Sequence, residues 1–304
     1  MINHIQRISM PKIISVLFFS LTFVFISSAH ADKYSELVKK MEQIAKSNSF
    51  NAEIFILGLN DQGIAIKGLK IGSGAINSLV VATHHGNEYG STAVGLGFAE
   101  ALAAKPLKDQ TMYVIPVLNI SGFNKNQREE NVGNKLYDPN RDYTGPCQFS
   151  PAYKLKSTAL LAQFLVDKNI IISATLHTFF PAVLYPWGIS TRDLSTPHDA
   201  KYKELVEAAT IESGYQHGNN TELLYPADGT FEDYAYWKHG IWSLLFELGF
   251  SHNPDPQAVQ NMTSTNIPGL RRFFETSPKT RAIDHNFSGK CDVSRMSRQR
   301  LFLE

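Results

Sequence analysis

The sequence predicts a single α/β domain with a central mixed, largely parallel β-sheet and helices on both faces. Three observations support this fold class. Several apolar runs lack the polar–apolar alternation of half-exposed strands, and helical patterns separate these runs along the chain. No internal repeat, low-complexity tract or interdomain linker interrupts them. Strands that are apolar throughout are buried on both faces, so helices must cover both sides of the sheet.

The first predicted elements are a helix and a hairpin. Residues 33–48 carry apolar side chains at helical spacing among charged ones, which is typical of an amphipathic helix. Two apolar runs follow at 52–59 and 64–71, and the linker between them is polar and ends in Gly63. Such a linker between two apolar runs predicts a β-hairpin.

Buried strands and helices alternate through the rest of the chain. The segment 120–151 interrupts this alternation because it is rich in Asn, Gly, Asp and Pro and is long for a loop. A loop of that length is either functional or disordered. We expect strands over 78–84, 112–119, 170–177 and 241–248, and helices over 88–104, 154–167, 199–212 and 269–275.

The N-terminus resembles a secretory signal peptide. Arg7 and Lys12 precede an uncharged run that ends in the small-x-small sequence of residues 29–31. The alternative is an uncleaved membrane anchor, but the apolar stretch 13–26 is shorter than the ~20 residues that a spanning helix needs. We therefore predict that residues 1–31 are removed on export to the periplasm or the medium, with no stable membrane association afterwards.

Removal of the signal peptide leaves a predicted catalytic domain at 33–277 and a polar tail at 278–304, which is either packed on the domain or frayed. The whole chain has 29 Lys+Arg against 28 Asp+Glu, and this near-neutral balance provides no basic surface for nucleic acid. Cys147 and Cys291 are the only cysteines. In an oxidising compartment they can form one disulfide, and the alternative is two unrelated thiols.

Candidate metal ligands follow or end two of the predicted core strands. His85 and Glu88 come directly after the strand at 78–84, and His177 ends the strand at 170–177. In open α/β sheets the site lies beyond the carboxyl ends of the strands. Two histidines and one carboxylate are a set that catalytic Zn²⁺ uses, with a further position left open. His-x-x-Glu alone is a weak signal, and structural hydrogen bonding is the simpler interpretation of the other histidines.

Five blocks in a fixed order make the sequence similar to the zinc metallocarboxypeptidases of the carboxypeptidase A/B type. The resemblance covers about residues 35–276, and the order, the spacing and the strand context of the blocks agree. The blocks are 56–58 with Gly63, 83–88, 138–142, 176–178 with 184–188, and Tyr225 with 246–248.

The resemblance implies that His85, Glu88 and His177 bind one zinc ion. It also implies that Asp138 accepts a hydrogen bond from His85. A carboxylate in that position fixes the tautomer of a ligand imidazole and raises its basicity.

The resemblance assigns the remaining catalytic roles as well. Asn140 and Arg141 match the pair that binds the terminal carboxylate of the substrate, for which a planar guanidinium is well suited. Glu247 matches the general base that activates the attacking water and then protonates the leaving amine. Tyr225 matches the mobile tyrosine that closes over the substrate. Arg128 is the expected donor to the developing oxyanion.

Glu232 falls near the family position at the floor of the side-chain pocket. An acid there favours a leaving residue with a cationic side chain, including the second amino group of diaminopimelate. The alternative is a solvated Glu on a helix face beside Asp233.

The predicted function is therefore that of an exported zinc metallocarboxypeptidase acting on peptides. One alternative is a carboxypeptidase that trims peptidoglycan stem peptides, since some members of the broader family cut such bonds. A second is an amidohydrolase resembling aspartoacylase, against which the spacing of Tyr225 and the block 184–188 argue. An inactive peptide-binding module is disfavoured because every catalytic position is filled.

Overall fold

The computed structural model describes residues 32–148, 151–292 and 294. The predicted signal peptide at 1–31 and the end of the predicted tail lie outside these residues. Helix α1 begins after Asp32, whose side chain accepts a hydrogen bond from the Ser35 amide. The elements of the first half of the chain are α1 (Lys33–Ser47), β1 (Ala52–Leu59), β2 (Ala65–Ile71), β3 (Ile76–Ala82), α2 (Tyr89–Ala104), β4 (Gln110–Ile115), α3 (Ile120–Lys125), β5 (Glu130–Val132) and β6 (Lys135–Tyr137).

The second half begins with a short 3₁₀ turn at Pro139–Arg141. The elements that follow are α4 (Lys156–Asp167), β7 (Ile172–His177), β8 (Ala182–Tyr185), α5 (Asp199–Ala209), β9 (Gln216–Asn219), α6 (Asn220–Leu223), α7 (Phe231–His239), β10 (Trp242–Glu247) and α8 (Pro256–Thr276).

Eight strands form one mixed sheet in the order β1-β2-β4-β3-β7-β10-β8-β9. Four of its seven neighbouring pairs are parallel, and β3, β7 and β10 form its parallel centre. This arrangement confirms the predicted fold class. Both faces of the sheet are covered, because Val80 and Ala82 of β3 pack into one apolar cluster while Leu79 and Val81 pack into another.

The structure corrects three expectations about the elements. Helix α8 begins at Pro256 rather than near residue 269, because Asp255 caps it and its Asn- and Thr-rich first turns hide the helical pattern. The segment 120–151 contains a helix, a hairpin and a 3₁₀ turn. Strands β8 and β9 and helix α7 were not predicted, since each is short and lacks a clear apolar period.

Residues beyond α8 pack on the domain as far as residue 292. Cys291 forms a disulfide with Cys147 and a β-bridge with Thr191. Among the helices that the structure describes, none is both long and apolar enough to cross a membrane.

Candidate active site

The candidate site lies where the parallel centre of the sheet ends. Strands β3, β7 and β10 are adjacent, so their carboxyl ends meet at one edge. His177 ends β7 and is paired in register with Glu247, which ends β10. His85 lies three residues beyond the end of β3, and Glu88 directly precedes helix α2. The topology therefore brings residues from distant parts of the chain to one place.

His85, Glu88 and His177 form a compact buried cluster. One ligand atom from each lies within 4.8 Å of the others. The carboxylate of Glu88 lies between the two rings, with Oε1 2.6 Å from His85 Nδ1 and Oε2 3.0 Å from His177 Nδ1. The two Nδ1 atoms are 3.2 Å apart, so both histidines present the same ring atom to a common point. Two imidazole nitrogens and a carboxylate are one of the donor sets that catalytic zinc sites use.

Asp138 supports His85, Glu88 and His177, which we call the metal cluster, from the start of the 3₁₀ turn. Its Oδ1 lies 3.1 Å from His85 Nε2, the ring nitrogen that faces away from Glu88. Its Oδ2 accepts hydrogen bonds from Arg128 Nε at 3.1 Å and Nη2 at 2.9 Å. Burial alone would raise the pKa of Asp138, but His85 and Arg128 hold it well below its usual range. The carboxylate is therefore charged and able to orient the imidazole of His85.

Of the cationic side chains of Lys125, Arg128 and Lys135, that of Arg128 is the one that reaches the site. It lies in the lining of a cavity of about 220 Å³, and its Nη1 is 3.9 Å from Glu88 Oε1. Lys125, the nearest alternative, donates instead to the Asn131 side chain. Lys135 is exposed on β6.

Asn140 and Arg141 enter the same cavity from the end of the 3₁₀ turn. The Asn140 side chain spans the site, since Nδ2 lies 3.4 Å from His177 Nε2 and Oδ1 accepts from the Phe231 amide at 2.9 Å. Arg141 Nη1 donates to the Asn140 carbonyl, and Nη2 lies 3.3 Å from the hydroxyl of Tyr225. Tyr225 also lines the cavity and is 51% exposed.

Glu247 lines the cavity beside the metal cluster. Its Oε2 is buried and has no hydrogen-bond partner among the described residues. Burial, with the nearby charge of Glu88, raises the pKa of Glu247 well above its usual range. An unpaired buried carboxylate is costly, so this side chain is suited to exchanging protons with a ligand in the cavity.

Glu232 lies beneath the cavity rather than in its lining. It is 3% exposed, and the Thr175 hydroxyl donates to its Oε1. Thr175 is paired in register with Leu245, which does line the cavity. The Oε2 atom is buried and has no partner in the described part of the chain. Asp233 is buried as well, so neither acid lies on a solvated helix face and that alternative is wrong.

Phe179, His252 and His84 contribute to the site although the sequence did not assign them to it. Phe179 and His252 line the cavity, with their rings packed edge to face at 4.9 Å. His84 is fully buried, stacks on the ring of His177 at 5.5 Å and has Nε2 3.0 Å from the Tyr143 hydroxyl. Neither histidine carries a spacing signal, because their positions depend on how the loops fold.

Comparison with known proteins identifies the family. The family model described as zinc carboxypeptidase matches residues 37–268, which is more than half of the chain. The chain belongs to the zinc carboxypeptidase family.

Relatives and solved structures agree with this family membership. The chain is 26% identical to human carboxypeptidase B over 262 residues, covering 71% of this chain and 62% of that protein. It is 22% identical to carboxypeptidase B of Astacus astacus over 252 residues, covering 68% and 82%.

The fold resembles bovine thrombin-activatable fibrinolysis inhibitor in complex with tick carboxypeptidase inhibitor. That likeness has a TM-score of 0.72 at 18% identity and covers 79% of this chain and 95% of that one. A metallo-carboxypeptidase from Burkholderia cenocepacia gives a TM-score of 0.60 at 14% identity, covering 79% and 68%. The shared fold therefore extends well beyond the residues around the metal cluster.

Proposed function

We propose that the protein is an exported zinc metallocarboxypeptidase that hydrolyses the C-terminal amide bond of peptides. The observation that carries this proposal is that one small cavity contains the His85, Glu88 and His177 cluster, the unpaired carboxylate of Glu247 and the guanidinium of Arg141. The disulfide between Cys147 and Cys291 supports an oxidising compartment and hence export.

Arg141 and Asn140 bind the terminal carboxylate of the peptide. A guanidinium offers two parallel donors to a carboxylate, and the Asn140 side-chain amide adds a neutral donor nearby. An endopeptidase has no terminal carboxylate to bind, so this pair restricts cleavage to the last amide bond. Tyr225, whose hydroxyl already lies beside Arg141, then covers the bound residue.

His85, Glu88 and His177 hold the metal, since their donor atoms converge and the cavity opens on one side of them. When bound, zinc polarises the scissile carbonyl and lowers the pKa of a water molecule at the site. Arg128 donates to the carbonyl oxygen as negative charge develops on it.

Glu247 transfers the proton. Its carboxylate takes a proton from the attacking water while the water oxygen bonds to the carbonyl carbon. The resulting Glu247 carboxylic acid then protonates the amide nitrogen as the C–N bond breaks, so the amine leaves neutral and the carboxylate is restored.

Glu232 favours a leaving residue with a cationic side chain. Its Oε2 has no partner in the described residues, and a cationic side chain that extends from the cavity to this oxygen would provide one. Because Thr175 already bonds to Oε1, a single oxygen remains free. One free oxygen suits the compact ammonium of lysine or diaminopimelate better than the fork of arginine.

This preference for an ammonium group favours a second candidate, a carboxypeptidase that removes diaminopimelate or another residue from peptidoglycan stem peptides. The aspartoacylase-like alternative is less well supported, because Tyr225 lies in the cavity next to Arg141. An inactive peptide-binding module is also less well supported, because such a module does not require the complete metal cluster together with Glu247.

The test is to incubate the purified protein with peptides ending in Lys, Arg, Leu or Phe and with muropeptides, with and without a chelator. Mass spectrometry identifies the released residue. Release that the chelator stops and zinc restores supports the proposal, and its source separates peptide from peptidoglycan substrates. No chelator-sensitive release from either set refutes the carboxypeptidase assignment.

A further inference from the structure

The chain continues past the region that matches the zinc carboxypeptidase family, and this continuation packs against a segment that supports the substrate pocket. The family match ends at residue 268, and helix α8 ends at Thr276. We call residues 277–292 the C-terminal strap. It contains one of the two cysteines of the protein.

The first part of the strap is fixed to the domain core. The Ala282 amide donates to the Gly240 carbonyl at 2.7 Å, and the Trp242 indole donates to the Thr280 carbonyl at 2.9 Å. Arg281 Nε donates to the Ile170 carbonyl at 3.2 Å. These bonds hold the strap against the amino-terminal ends of β7 and β10. The metal cluster lies at the opposite, carboxyl ends of these strands.

The second part of the strap packs against residues 187–191, which we call the pocket wall. The ring of Phe287 lies edge to face on Trp187, with 5.5 Å between centroids. The Asp292 amide donates to the Ser190 carbonyl at 2.7 Å, next to the β-bridge between Thr191 and Cys291.

The pocket wall in turn holds the segment that lines the cavity. The Trp187 carbonyl accepts from the Thr221 amide at 3.1 Å, and the Gly188 carbonyl accepts from the Ala227 amide at 2.5 Å. Ala227 and Asn220, the neighbour of Thr221, both line the cavity. Movement of the wall therefore moves the residues that surround the terminal side chain of the substrate.

The disulfide joins the strap to the segment that carries Arg141. Cys147 is fully buried, and Gln148 beside it donates to the Arg141 carbonyl at 2.9 Å. A single cross-link between Cys147 and Cys291 thus connects the carboxylate-binding segment and, through the strap, the pocket wall. The Arg141 segment, which binds the terminal carboxylate, and the pocket wall, which supports the residues around the terminal side chain, are therefore both attached to the strap.

We propose that Phe287 and the disulfide of Cys291 are positioning elements for recognition of the C-terminal residue. They touch neither the metal cluster nor the cavity, and they act through the pocket wall and the Arg141 segment. The proposal rests on the proposed carboxypeptidase function. It predicts weaker substrate binding with an unchanged chemical step. The strap bonds to the amino-terminal ends of β7 and β10, whereas His177 and Glu247 lie at their carboxyl ends.

The test uses Phe287→Ala and the double variant Cys147→Ser/Cys291→Ser in the full chain. A displaced pocket raises KM about tenfold for a peptide ending in lysine, with kcat changed by less than about twofold. Zinc content stays at the wild-type value in both variants. Phe287→Leu keeps an apolar contact with Trp187 and recovers most of the lost KM.

Met41→Ala provides the matched control. Met41 is fully buried in α1, which packs on β1 and β2 at the opposite edge of the sheet from β8, so its truncation destabilises the fold without removing a contact of the pocket wall. A rise in KM in the strap variants that Met41→Ala does not share supports the proposal. Unchanged KM in folded Phe287→Ala, or the same rise in Met41→Ala, overturns it.

A binding measurement separates this proposal from the proposed function. Calorimetry compares a lysine-terminated peptide binding to Glu247→Gln protein with and without Phe287→Ala. Affinity lowered about tenfold supports the strap proposal, and equal affinity overturns it. Absence of hydrolysis by the wild type, by contrast, counts against the carboxypeptidase assignment. If the double cysteine variant does not fold, Phe287→Ala alone decides the outcome.

Discussion

The metal cluster and the substrate pocket contain carboxylates in opposite electrostatic states. Glu88 and Asp138 are buried, yet neighbouring histidines and Arg128 hold their pKa values below the usual range. At Glu247 and Asp233 burial outweighs the nearby cations and hydrogen-bond donors and raises the pKa values, that of Asp233 to about 8. Neighbouring cations therefore outweigh burial at Glu88 and Asp138, whereas burial dominates at Glu247 and Asp233.

The two regions also differ in how they are built. The proposed metal ligands follow or end regular strands, whose parallel register fixes them close together. The rest of the cavity is lined mainly by loop residues, together with Asn220 of α6 and Leu245 of β10, and hydrogen bonds between irregular segments hold these loops. Substitutions on the metal side should affect chemistry and metal binding, and those on the pocket side should affect selectivity and stability.

The largest expected effect comes from Glu247→Gln. The amide keeps the shape of the side chain but cannot take the proton, so kcat falls by about 10²–10⁴-fold. Steady-state kinetics measure the loss, and metal analysis checks that zinc is retained. Wild-type activity in this variant would contradict the assignment of the general base.

Zinc should stabilise the metal side strongly. A ligand that binds only the folded state adds about 4 kcal/mol to the free energy of unfolding when present at about 1,000 times its Kd. Thermal unfolding with added zinc, after removal of metal by a chelator, measures this gain. His177→Ala should abolish most of the rise in Tm, and an equal rise in that variant would place the metal elsewhere.

A smaller effect is expected for Glu232→Gln on the pocket side. Loss of the charged acceptor should lower kcat/KM for a lysine-terminated peptide by about 10–100-fold, as removal of a charge-assisted hydrogen bond does. Activity on a leucine-terminated peptide should change little. Competition assays with both peptides give the ratio directly, and a parallel loss on both would show that Glu232 supports the fold rather than selectivity.

The last prediction concerns the pH dependence of stability in Asp233→Asn. Asp233 accepts from the Gly188 amide and has its pKa raised from 3.8 to about 8 in the folded protein, mainly by burial. The folded state therefore binds more protons than the unfolded state between these pH values, and stability falls as pH rises from about 4 to about 8.

Asp233→Asn removes this part of the slope, so its stability relative to the wild type should improve by up to a few kcal/mol between pH 5 and pH 8. Denaturant unfolding at several pH values measures the difference. Glu130, whose pKa is also raised to about 8 by burial, remains in both proteins and serves as the internal reference. Parallel curves for the two proteins would show that Asp233 is already ionised in the fold.

The sequence alone determined the metal side of the protein. Unbroken apolar strands that run into His85 and His177 predict a buried parallel sheet, and parallel strands bring their carboxyl ends to one edge. Local spacing and the family blocks were therefore enough to select His85, Glu88, His177 and Glu247. The predicted bounds of these strands agree closely with the observed ones because the apolar runs are continuous.

Only the tertiary structure decided how the pocket is assembled. Helix α7, the pocket wall and the C-terminal strap show no clear apolar periodicity. The sequence therefore did not decide whether Glu232 is buried or solvated. It also left the pairing of Cys147 with Cys291 open. These features depend on contacts between segments far apart in the chain, such as Thr175 with Glu232 and Phe287 with Trp187. Such contacts form only after the sheet has brought the segments together, and no local pattern encodes them.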